Sequence, residues 1–137
     1  MKRTATANWK GTGKEGTGSL STQSGLLEAD FYSSGSRFQE EKGTNPEELI
    51  AAAHAGCFSM KLSYILNAAG FTPDNITTKC TVTIESGTIT NSHLEVKATI
   101  PGIDEAKFDE CADEAKRTCP VSKALNLEIT MEAGLTA

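Results

Sequence analysis

The sequence predicts an α+β chain, on three observations. A long apolar helix with a marked start lies at 46–69, alternating segments suited to a β-hairpin follow at 76–100, and an amphipathic helix with a short closing strand occupies the remainder. A length of 137 residues suits a single domain over 1–137. Chains of this size bury roughly 70% of their unfolded surface, so neither a disulfide nor a metal is needed to hold the fold.

The elements follow in order. The first forty residues are rich in Gly, Ser and Thr, and short alternating pieces such as Ala5-Thr6-Ala7-Asn8-Trp9 and Ser19-Leu20-Ser21-Thr22 read as thin strands joined by tight turns. Asn45 is a good N-cap, Pro46 fits the first helical position, Glu48 completes a capping box, and Gly70 supplies the stop. Helix 46–69 would be about 36 Å long. Its apolar character almost all round predicts that it is enclosed at the centre of the fold. Ile76, Thr78, Cys80, Val82 and Ile84 alternate with polar neighbours, Glu85-Ser86-Gly87-Thr88 turns the chain, and Leu94, Val96 and Ala98 continue as the partner strand. Pro101-Gly102 breaks it. After Asp104, the residues Phe108, Cys111, Ala112 and Ala115 form an apolar stripe at helical spacing, opposite acidic residues that read as a solvated face. A new short helix begins near Cys119-Pro120, and Leu127, Ile129 and Met131 alternate as a closing strand.

Composition excludes several functions. Charged residues make up 23% and the net charge is −5, which argues against binding nucleic acid or anionic membranes. Lys2 and Arg3 have no apolar segment behind them, and no run approaches the ~18 apolar residues of a membrane span, so a cytoplasmic protein is expected. In a reducing compartment the four cysteines are core residues, ligands or redox groups rather than a disulfide framework. Structural zinc fails on spacing, since there is no CxxC, HxxxH or HExxH.

The cysteines differ in setting. Cys80 and Cys111 fall on inward faces, where a thiol behaves as a small hydrophobe. Cys119, at a helix start, would feel unpaired N–H groups that favour the thiolate. Cys57 lies in Leu49–Met60, an uncharged stretch of small and apolar residues, and is either inert packing or a sheltered nucleophile. His54 shares its helix face, three residues away. A Cys–His hydrolase usually brings its base from a separate element, however, so His54 reads as packed against the hairpin or a partner helix. Alone, Arg37 and Glu47 read as a solvated ion pair, and Lys61 as a side chain snorkelling to solvent.

The run from Arg37-Phe38-Gln39 through Gly43-Thr44-Asn45-Pro46-Glu47-Glu48-Leu49 to Ala53-His54-Ala55-Gly56-Cys57-Phe58-Ser59-Met60 resembles the signature of the OsmC/Ohr family of peroxide reductases. Trp9, Ser24-Gly25, Gly70-Phe71-Thr72-Pro73, Ile100-Pro101-Gly102-Ile103 and Cys119-Pro120-Val121-Ser122 fall in the family's order, and the wording around His54 is nearer the OsmC branch than the organic hydroperoxide resistance (Ohr) branch. The resemblance implies antiparallel sheets wrapped around long central helices in an intertwined homodimer. It also implies a thiol peroxidase of stress defence with no metal or prosthetic group, acting on organic hydroperoxides and on hydrogen peroxide. Cys57 matches the peroxidatic cysteine, Cys119 the resolving cysteine, Arg37 the residue that activates the thiolate, and Glu47 the carboxylate that orients Arg37. An external thiol would reopen the Cys57–Cys119 disulfide, with a lipoylated protein or other dihydrolipoamide-type dithiol as the implied reductant.

Helix geometry bears on assembly. Glu47 and Cys57 are ten residues apart, about 15 Å along one straight helix, so they do not share a small site within one chain. Two such helices packed antiparallel about a two-fold axis would bring Glu47 of one beside Cys57 of the other, which predicts a homodimer with composite active sites. The competing reading is a noncatalytic domain of the same fold that binds a hydrophobic ligand or senses oxidants. Two separated thiols with a guanidinium and a carboxylate favour the enzyme.

Overall fold

The computed structural model describes residues 1–136, which group into two compact units divided between Leu49 and Ile50. In the first unit, β1 (Ala5–Lys10), β2 (Thr17–Thr22) and β3 (Asp30–Ser33) form an antiparallel meander. Trp9 lies opposite Gly18, which in turn lies opposite Tyr32, and the two rings meet 5.2 Å apart. A Cβ on Gly18 would stand 2.5 Å from the Tyr32 ring and 2.6 Å from that of Trp9, so the ring contact requires glycine here. A short helix, α1 (Ser34–Phe38), follows β3 directly and carries Arg37. The sequence reading lacked it, because Ser33 and Ser36 cap each other in place of the usual Ser/Thr with Glu/Gln.

Helix α2 (Pro46–Ala68) begins in the first unit and continues through the second. Asn45 Oδ1 accepts from the Glu48 N–H at 2.7 Å, while Asn45 Nδ2 donates to the Ser36 carbonyl at 3.0 Å. Asn45→Ala removes both bonds and is expected to lower the unfolding free energy by about 1–2 kcal/mol. A fall in the urea midpoint at constant m-value would register it. At the other end Gly70 takes φ 92° and the Phe71 N–H returns to the Leu66 carbonyl.

The expectation of an enclosed helix holds for one face only. His54, Phe58, Leu62 and Leu66 form a fully buried stripe, whereas Ala53 and Gly56 are exposed, and Met60 and Tyr64 are 64% and 67% exposed. By length and composition α2 is also apolar enough to cross a membrane, with a mean hydropathy of 1.4, which corrects the expectation that no run approaches a span. His54, Ser59 and Lys61 interrupt the apolar run without lowering its average far. The same composition suits a core helix, and the buried stripe uses it so.

In the second unit β4 (Asn75–Glu85) and β5 (Thr88–Thr99) pair antiparallel. Ser86 and Gly87 have φ of 49° and 79°, the positive values a two-residue type I′ hairpin turn requires. Helix α3 (Glu105–Thr118) is capped by Asp104, and α4 (Pro120–Ala124) follows at once. Strand β6 (Glu128–Leu135) then pairs parallel to β5, the one departure from the antiparallel pairing expected of the sheets. Two helices between β5 and β6 supply the long crossover that a parallel pair needs. Leu94, Val96, Ala98 and Ile100 of the β5 segment bury against Phe58, Leu62 and Leu66 and against the α3 stripe Phe108, Cys111, Ala112 and Ala115, as the periodicity predicts. Contiguous packing of this kind fixes α2 and the α3–α4 junction, and with them two thiols.

Candidate active site

Those two thiols meet. Cys57 Sγ and Cys119 Sγ are 3.0 Å apart, both as free cysteines, and they share a hydrogen bond. Cys119 sits at the junction itself: its N–H donates to the Ala115 carbonyl to end α3, and its Sγ accepts from the Ser122 N–H at 3.5 Å to begin α4. Burial differs within the pair. Cys119 is fully buried and Cys57 half-buried, so Cys57 is the sulfur a small molecule reaches.

Their protons also differ. Burial pushes the Cys57 thiol up, the hydrogen bond to Cys119 adds to this, and the Val121 N–H and the Lys61 charge oppose it more weakly. Burial works against ionising Cys119 too, but hydrogen bonds from Cys57, from the Ser122 N–H and hydroxyl, and from the Val121 N–H outweigh it and bring that thiol below its ordinary value. Within this pair Cys119 is the readier to ionise and Cys57 the readier to keep its proton.

In the first unit Arg37 and Glu47 form a close ion pair. Arg37 Nε donates to Glu47 Oε1 and Oε2 at 3.0 and 3.2 Å, and Nη2 donates to Oε1 at 2.7 Å. Glu47 is buried, Arg37 remains 37% exposed, and the guanidinium lies 5.0 Å from the Phe38 ring centroid. A buried carboxylate holding a guanidinium by its Nε edge is not a solvated pair. It fixes the guanidinium plane and leaves further N–H donors for an anion. The structure thus joins the four sequence-predicted residues as two pairs, one in each unit.

Sequence reasoning placed His54 against the hairpin or a partner helix; the structure brings it to the hairpin, and its hydrogen-bond partners were missed. His54 is fully buried, with Nδ1 2.6 Å from Ser92 Oγ on β5 and Nε2 2.7 Å from Ser122 Oγ on α4. Cys80 Sγ on β4 lies 3.1 Å from the same Ser92 Oγ. Burial holds the His54 imidazole below its ordinary value of 6.5. As the pH falls below about 6.5 the unfolded chain takes up this proton first, so stability should fall until the folded state is protonated as well. Urea midpoints between about pH 6.5 and 5 should lose that slope in His54→Gln.

The sequence profile of the family described as OsmC-like protein matches residues 39–133. The chain belongs to this family. Among relatives, peroxiredoxin OsmC of Escherichia coli (strain K12) is 48% identical over 130 residues, covering 92% of this chain and 91% of its own. An organic hydroperoxide resistance protein of Xanthomonas axonopodis pv. citri is 31% identical over 98 residues, covering 65% of this chain and 66% of its own. The higher identity to peroxiredoxin OsmC agrees with the branch read from the residues around His54. The OsmC-like fold is borne out by solved structures. An OsmC like protein from Mycoplasma pneumoniae superposes with a TM-score of 0.76 at 16% identity, covering 100% of this chain and 99% of that one. OhrB of Bacillus subtilis gives 0.67 at 24% identity, covering 96% and 98%.

An OsmC-like chain with these groups offers an accessible thiol, a second, buried thiol in contact with it, and an oriented guanidinium. Among the described residues no cluster of three or more His, Cys, Asp or Glu side chains is placed to hold a metal ion.

Proposed function

We propose that this chain is a cysteine-based peroxidase that reduces organic hydroperoxides, and hydrogen peroxide as the smallest of them, through Cys57. Its sulfur attacks the terminal peroxide oxygen, the O–O bond breaks, alcohol or water leaves, and a sulfenic acid remains. Cys119 then attacks that sulfur, a disulfide forms and water departs. An external dithiol of the dihydrolipoamide type, carried on a lipoylated protein, reopens the bond by exchange, and the protein needs no prosthetic group. The observation that carries this reading is the 3.0 Å contact between a half-exposed Cys57 and a buried Cys119. The names of the relatives, peroxiredoxin and organic hydroperoxide resistance protein, agree with it.

Cys57 needs a cation for this chemistry, because burial holds its proton. In the composite arrangement Arg37 of the partner subunit supplies it, oriented by Glu47 of the partner subunit. The exposed apolar face of α2 with Met60 and Tyr64 supports a homodimer built along that helix, each chain acting as a single OsmC-like domain in the cytoplasm.

Thiol counting tests the reading. Reduced protein treated with an alkyl hydroperoxide, without reductant, should fall from four free thiols to two, with Cys57 and Cys119 joined in the peptide map. Four thiols remaining after treatment would point instead to a hydrophobic-ligand-binding domain.

A further inference from the structure

Helix α1, which carries Arg37, has only five residues and is too short to hold its own shape. Bonds from the start of α2 hold it. The buried Ser36 hydroxyl donates to the Thr44 carbonyl at 2.9 Å, the Thr44 N–H donates to the Phe31 carbonyl at 3.0 Å, and Asn45 Nδ2 donates to the Ser36 carbonyl at 3.0 Å. The last of these bears directly on the guanidinium. The Ser36 carbonyl belongs to the planar peptide group that joins Ser36 to Arg37, so holding it fixes the direction from which the Arg37 side chain departs. Glu47, two residues beyond Asn45, takes Arg37 Nε and Nη2 with its carboxylate.

We infer that Asn45 is a positioning residue for the peroxide reaction: its one side-chain amide caps α2 and holds the peptide group before Arg37, and so sets the guanidinium against Glu47. The two ends of the amide are assigned by their partners. The Glu48 N–H, at 2.7 Å, can only donate and therefore meets Oδ1, while the Ser36 carbonyl can only accept and therefore meets Nδ2. Capping alone does not require asparagine. Aspartate and serine cap about as well, but aspartate has no donor and serine has only one polar atom to serve both elements.

The ion pair cannot do this work unaided. Arg37 is 37% exposed on a long flexible side chain, so its contact with Glu47 would survive several placements of α1. Only with the backbone held do the N–H donors left free by Glu47 keep one direction toward an anion. This inference rests on the role proposed for Arg37 in activating Cys57, and the two separate in experiment because each residue can be changed with the other present or absent.

Single-turnover oxidation of reduced protein by an alkyl hydroperoxide, with dimedone trapping of sulfenic acid and thiol counting at timed intervals, supplies the readout. Asn45→Asp keeps the cap oxygen but sets a second acceptor against the Ser36 carbonyl, and Asn45→Ser keeps a cap with no donor to spare. Both should slow oxidation of Cys57 about tenfold, the scale of a small misplacement of a reacting group. The later closure of the disulfide should run at the wild-type rate, because Cys57 and Cys119 meet in the other unit. In an Arg37→Met background the same substitutions should slow oxidation no further, which marks a residue that works through the guanidinium. A wild-type oxidation rate in Asn45→Asp and Asn45→Ser, or an equal loss in both backgrounds, overturns the role of Asn45 and leaves the peroxidase reading intact. Wild-type oxidation in Arg37→Met overturns the role of the guanidinium and this inference with it. Absence of any sulfenic acid or disulfide in wild type overturns the peroxidase reading itself.

Discussion

Cys57→Ser should abolish turnover of an alkyl hydroperoxide in the presence of a dithiol, whereas Cys119→Ser should keep a stoichiometric first turnover and only the slow cycling that the dithiol supports alone. The reason lies in the chemistry of oxygen against sulfur. A serine hydroxyl is not oxidised by a peroxide, and nothing else among the described thiols is placed to substitute. Cys111 is buried in the α3 stripe, and Cys80 bonds to Ser92 with its thiol pushed up by burial. The thiolate tendency of Cys119 makes the comparison sharper, because pKa alone would nominate Cys119 as the nucleophile. Accessibility reverses that order: Cys119 is fully buried, so peroxide reaches Cys57 first. In Cys119→Ser the Cys57 sulfenic acid should therefore form, accumulate and react with dimedone, while catalytic cycling drops to whatever the external dithiol achieves alone. Peroxide loss followed with both variants, and mass mapping of the trapped adduct, decides it. Undiminished turnover in Cys57→Ser, or an adduct on Cys119 in the wild type, would refute the assignment.

What the sequence disclosed of this site follows the range of the interactions involved. The Asn45-Pro46 start of α2, the Phe108–Ala115 stripe and the β4–β5 alternation are local patterns, and the structure reproduces them within a residue or two. Helix α1 escaped because Ser33-Ser34-Gly35-Ser36 carries little helical propensity and is held by its reciprocal serine cap. The parallel pairing of β6 escaped because strand direction depends on the crossover through α3 and α4, not on the alternation of Leu127, Ile129 and Met131. The partners of His54 lie 38 and 68 residues away, and no spacing rule joins them. Cys119 could have suggested Ser122, since a residue three positions beyond a helix cap faces it. The pairing of Cys119 with Cys57 came only through family resemblance, which local physics could not replace at a separation of 62 residues.

Mixing two inactive variants should restore activity if the sites are composite. Arg37→Met removes the guanidinium from one chain and Cys57→Ser the nucleophile from the other, and each homodimer alone should be nearly inactive. After subunit exchange, half of the dimers are heterodimers, and each holds one site with Cys57 from the first variant and Arg37 from the second. Activity should then rise to about a quarter of wild type, the fraction of intact sites that random pairing in a two-fold dimer produces. Two features of the chain make the test discriminating. Arg37 and Glu47 are bound to each other in the first unit, so the guanidinium and its orienting carboxylate travel together. Cys57 and Cys119 contact each other in the second unit, so a mixture of Cys57→Ser with Cys119→Ser leaves every site short of one thiol and should stay without disulfide-linked cycling. Recovery in the first mixture but not the second is the pattern a composite site demands. Failure of both, with heterodimers demonstrated by native mass spectrometry, would place Arg37 and Cys57 in the same chain's site and remove the need for a partner in the chemistry.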